Sequence, residues 1–158
     1  MRHTHRKKSS AARKFFRNAS IDTARQYQAL KLAFPRSEVT LVREKLTWIG
    51  QLKPTELSQI YTVSIEYTLG SSPKVQVLDP CLRPRQGEKI PHMFDQKRLC
   101  LYYPASKEWN KNKWIHQTII PWTSMWLYFY EIWHATGEWL GEGIHPEYTQ
   151  SKTNRMQF

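Results

Sequence analysis

The sequence predicts an α+β domain: a leading helix, an antiparallel β-meander, a loop region carrying a cysteine, and a closing core helix. Three observations carry this. Apolar residues from Ile21 to Phe34 recur at helical spacing. Tyr61, Val63, Ile65 and Tyr67 alternate with Thr62, Ser64 and Glu66, the period of a strand with one packed and one wet face. The run from Pro121 to Trp133 is apolar nearly all round, as a buried helix requires. With 158 residues the chain is long enough to bury a single core without a metal or disulfide staple.

Taken in order, residues 1–19 hold seven Lys or Arg and no acid, and so supply most of the net charge of +11. They read as a basic flexible tail, which either only solvates the chain or contacts nucleic acid or an acidic surface with salt-sensitive affinity. A zinc-finger spacing and the aromatic RNA-recognition signature are both missing from the body, so nucleic-acid binding is the weakest reading. The domain is expected over residues 20–148, with a second flexible tail at 149–158. Ser20, Asp22 and Thr23 offer caps for a helix over 21–34, with Ile21, Ala24, Tyr27, Leu30 and Phe34 inward and Arg25, Gln26, Gln28 and Lys31 wet, until Pro35 halts it. Residues 41–52 read as one strand, 61–67 as the next, and the turn Gly70 to Pro73 leads to a third through Val75 and Val77. Three prolines and a glycine make 79–92 a loop, in which Cys81 reads as a small apolar residue tucked inward. Residues 104–113 are polar loop pinned by Trp109. Pro121 opens the last helix as a first-turn proline, Trp122, Trp126, Phe129 and Trp133 share a face, and Gly137 stops it.

Two cysteines give no disulfide framework and point to a reduced cytoplasmic compartment. No run is long and apolar enough to span a bilayer, and no secretory signal follows the basic start. The sequence contains neither a P-loop nor a dinucleotide fingerprint, and no Cys/His cluster completes a metal site, so no cofactor is expected. The chemistry concentrates on Cys100. It lies in the apolar run Leu99 to Tyr103 but directly after Gln96, Lys97 and Arg98, a polar approach that suggests a surface mouth and a basic pair able to favour the thiolate. A buried core thiol is the competing reading. His92 stands eight residues upstream behind Pro91, and a structural histidine is as good a reading as a catalytic one.

Ile90-Pro91-His92, then Cys100-Leu101, then Trp109 resemble the signature of ubiquitin-conjugating enzymes: a His-Pro-Asn tripeptide, a Cys-Leu pair with the catalytic cysteine, and a tryptophan. Ile90 stands where the family has its histidine and His92 where it has asparagine. More narrowly, Trp48-Ile49-Gly50, Pro54-Thr55, the run Leu99 to Tyr102 and the Trp-rich end look like the ubiquitin-conjugating-like proteins of bacterial CBASS anti-phage operons. The resemblance covers about residues 20 to 147. It implies the conjugating-enzyme fold and a thioester on Cys100 with the C-terminal tail of a cGAS-like nucleotidyltransferase, passed to a lysine or another acceptor. His92 would donate to the oxyanion, Trp109 and Tyr102 would line the groove, and Pro91, Lys97 and Arg98 would support the loop. Activation would come from a separate activating enzyme, or the protein would act directly on the synthase tail as a cysteine transpeptidase. A non-catalytic binding module on the same fold is the alternative.

Overall fold

The computed structural model describes residues 20–141; the two tails expected at 1–19 and 149–158 lie outside the described residues. The chain runs through α1 (Thr23–Ala33), β1 (Glu38–Val42), β2 (Lys45–Leu52), β3 (Tyr61–Thr68), β4 (Lys74–Asp79), a short hairpin of β5 (Met93–Phe94) and β6 (Arg98–Leu99), 3₁₀ turns at Pro104–Ser106 and Ile115–Gln117, and α2 (Ile119–Thr136). The first four strands form an antiparallel sheet in the order β1-β2-β3-β4, and β5 pairs with β6. This is the α+β order expected.

The Asp22 carboxylate starts α1 by accepting from the Arg25 N–H at 2.8 Å, a cap worth about 1 kcal/mol. Pro35 ends it, since it cannot donate and pushes its predecessor out of helical geometry. Two residues of this helix are placed differently from expectation. Ala24 is exposed, and Gln26 is fully buried instead of wet. Burial of its amide is tolerated because both ends are satisfied: Nε2 donates to the Lys113 carbonyl at 2.8 Å, and Oε1 accepts from the Ile115 N–H at 3.0 Å. One glutamine thereby ties the first helix to the turn that launches the last.

The segment read as one strand over 41–52 is two. Arg43 and Glu44 both adopt left-handed φ, 47° and 67°, and form a two-residue hairpin. Such turns ordinarily advertise themselves with Gly or Asn, and neither is present here. On β2 the Trp48 indole lies over Gly50, where a Cβ would collide with it. On β3 the alternation holds: Tyr61, Val63, Ile65 and Tyr67 are buried and the residues between them are partly exposed.

α2 begins two residues before Pro121, which sits in its first turn, and Gly137 closes it at φ 85° with its N–H on the Trp133 carbonyl at 2.7 Å. Ile119, Ile120, Thr123, Trp126, Leu127, Tyr130 and Trp133 are its buried residues, and its apolar members join α1, the sheet and the hairpin in one core. Trp122 and Phe129, expected on the buried face, are only half-buried. Glu131 fastens the helix to the sheet by accepting from Ser58 Oγ at 2.6 Å and Tyr61 OH at 3.0 Å.

Candidate active site

The loop before the hairpin is held by one side chain. Gln96, in left-handed geometry at the hairpin turn, reaches back to accept from the Ile90 N–H at 2.8 Å and donate to the Ile90 carbonyl at 3.0 Å. Two residues on, His92 takes φ 52°, a conformation histidine adopts more readily than most residues but still at a cost. Its carbonyl accepts two hydrogen bonds, from the Cys100 N–H at 2.8 Å and from Trp126 Nε1 at 3.0 Å. The His92 carbonyl is therefore the joint between the cysteine loop and α2. Its ring packs against that of Trp139, centroids 5.0 Å apart.

Cys100 follows β6 directly, and its thiol donates to the Tyr102 carbonyl at 3.5 Å. The residue is 8 % exposed and His92 6 %, so both are mostly covered. Both nevertheless line one cleft of about 530 Å³. Leu101 and the α2 residues Trp122, Met125, Trp126 and Phe129 supply apolar wall, Trp139 and Leu140 return over it, and Glu108 and Lys113 add an acid and a base. Burial pushes the Cys100 thiol above its ordinary pKa. At rest it is a protonated, mostly covered sulfur in the wall of a cleft that His92 also lines. Such a thiol becomes a nucleophile only when its proton is removed.

A sequence model of the family described as Type II CBASS E2 protein matches residues 26–146, a span that takes in every residue lining the cleft. The chain belongs to the type II CBASS E2 family. Its α+β architecture is that of an E2-like fold, and its role is that of an E2-like protein of CBASS anti-phage defence. No curated protein sequence matches it. Among the described residues of this E2-like chain, no helix is long and apolar enough to cross a membrane.

Several side chains of this CBASS E2 lie away from where the sequence suggested. Lys97 is exposed and does not line the cleft. Arg98 lies over the Phe94 ring, 4.0 Å from Asp95, and lines a different cavity. The basic pair thus does not favour the thiolate, and burial raises the thiol's pKa instead. Trp109 does not line the cleft; it is buried edge-on against Tyr67, centroids 5.3 Å apart, and fixes the polar loop to β3. Tyr102 lines the cavity that Arg98 lines and meets Trp122 edge-on at 5.8 Å. Pro91 is half-buried between the clamped Ile90 and His92. Cys81 is exposed, not tucked inward, and lines a third cavity with Tyr130 and His134. Glu108 and Lys113 were missed; the only mark they carry in the sequence is that they flank the Trp109 anchor. The aromatic wall is present in the sequence as the Trp122, Trp126, Phe129 spacing, which reads as core ahead of a partner interface.

Proposed function

We propose that Cys100 carries the C-terminal carbonyl of a cGAS-like synthase as a thioester and passes it to an acceptor amine. What supports this best is a cysteine and a histidine opening onto one aromatic-walled cleft. In the loading step Cys100 gives up its proton, and its sulfur lone pair attacks the carbonyl of an already activated tail. The C=O π pair moves onto oxygen, where a His92 N–H donates, and collapse expels the previous carrier as a thiolate, which takes up the proton that Cys100 gave up. In the transfer step an amine lone pair forms the C–N bond, the C–S bond breaks, and Cys100 leaves as a thiolate that takes up the proton shed by the amine. Thioester-for-thioester exchange is nearly balanced, so no strong base is demanded. The apolar walls exclude the water that would hydrolyse the intermediate. A separate activating enzyme supplies the activated tail.

A specific observation favours a second reading, a binding module without catalysis: the thiol is mostly covered and held protonated. Mixing the protein with its synthase and an activating enzyme separates the two. A thiol-sensitive adduct on non-reducing gels that Cys100→Ala abolishes is the expected result. His92→Ala should slow its formation by about 10²-fold, the scale for loss of one oxyanion donor. No adduct with any activating enzyme, and undiminished partner binding by Cys100→Ala, would establish the binding module instead.

A further inference from the structure

A smaller cavity of about 250 Å³ adjoins the cleft. Leu101 lines both, and the Tyr102–Trp122 pair bridges them, with Tyr102 in the wall of one and Trp122 in the wall of the other. Leu101 is thus a shared wall, over which an extended chain with its end at Cys100 would reach this space. At that volume, below the roughly 300–1,000 Å³ typical of small-molecule sites, it accepts a side chain. Its lining is apolar at Phe94 and Leu99 and cationic at Lys74 and Arg98.

The charges there are not fully neutralised from within. Lys74 stands opposite Glu66 on the neighbouring strand, but the Glu66 carboxylate is engaged by Lys45 at 3.1 Å. Lys74 has no ion-pair partner among the described residues. Among the described residues Arg98 pairs only with Asp95 at 4.0 Å, an 85 % exposed carboxylate. An apolar floor beneath an under-compensated positive rim is complementary to a carboxylate on a short aliphatic stem. We propose that this cavity reads an acidic side chain, glutamate above all, a few residues ahead of the carbonyl that reaches Cys100. The inference rests on the cleft being the donor-tail site and names one feature of that tail.

The test uses fluorescein-labelled peptides ending in glycine, with Glu, Gln or Lys placed in turn two to five residues before the end. Binding to the full chain is read by anisotropy, and loading of the same peptides, made as C-terminal thioesters, by intact mass. Glu at one position should bind about fivefold more tightly than Lys, the scale of a partly exposed ion pair, and the difference should fade in high salt. Lys74→Glu, a change on an exposed strand position, should invert the preference, and Arg98→Gln should weaken it. Equal binding of all three peptides at every position, or a preference that Lys74→Glu leaves unchanged, overturns the proposal. Loading on Cys100 without charge preference sinks the acidic subsite alone. Preferential binding of the Glu peptide with no loading sinks the thioester chemistry alone and keeps the subsite.

Discussion

Cys100 and Cys81 exchange the characters that their surroundings in the sequence suggest. Cys100, preceded by two cations, is covered, and burial raises its pKa, while Lys97 is exposed and Arg98 is engaged with Phe94 and Asp95. Cys81, sheltered behind a proline in a hydrophobic-looking step, is exposed. Adjacency along a hairpin does not place side chains on one face, so neighbours in sequence were a poor guide to the thiol's electrostatics. The sign of the effect follows directly. Since only the thiolate alkylates and the Cys100 pKa lies above the ordinary thiol value, its labelling by iodoacetamide should be slow at neutral pH and rise about tenfold per unit while pH stays below that pKa. Mass mapping of a time course should find Cys81 modified first. Cys100 modified first at pH 7 would contradict the geometry described for it.

At the scale of elements, the strongly periodic segments were legible. The alternation of β3, the start of α1 at its cap and the stop of α2 at Gly137 appear where spacing and capping rules put them. The hairpin at Arg43-Glu44 was not, because ordinary residues occupy a turn that glycine or asparagine usually marks. Nor was the inward turn of Gln26, which only its long-range backbone partners, 87 and 89 residues away, make favourable. That amide is a test of how the elements are joined. Gln26→Leu should keep similar bulk but leave the Lys113 carbonyl and the Ile115 N–H unpaired, costing about 1–3 kcal/mol per stranded group. Denaturant unfolding should show the loss as a lower midpoint with an unchanged slope. A midpoint equal to that of the wild type would mean the clamp is not made in solution.

At the scale of the whole molecule, the sheet and both helices share one core, and the consequence for function is the placing of a sulfur. Cys100 and His92, which the sequence motif singles out, both line one cleft, because the motif is local and the loop between them is short. The motif could not name the far wall, since that wall comes from α2, further along the chain, and its register is set by packing. The account as a whole claims that this cleft carries another protein's carboxyl end on that one sulfur. Intact-mass analysis of the protein recovered with its synthase, followed by peptide mapping, tests the claim most directly. The account predicts a covalent species equal to both chains less one water, mapped to Cys100 and released by hydroxylamine. A hydroxylamine-resistant link at Cys100, a link at Cys81, or the same species from Cys100→Ala would contradict it.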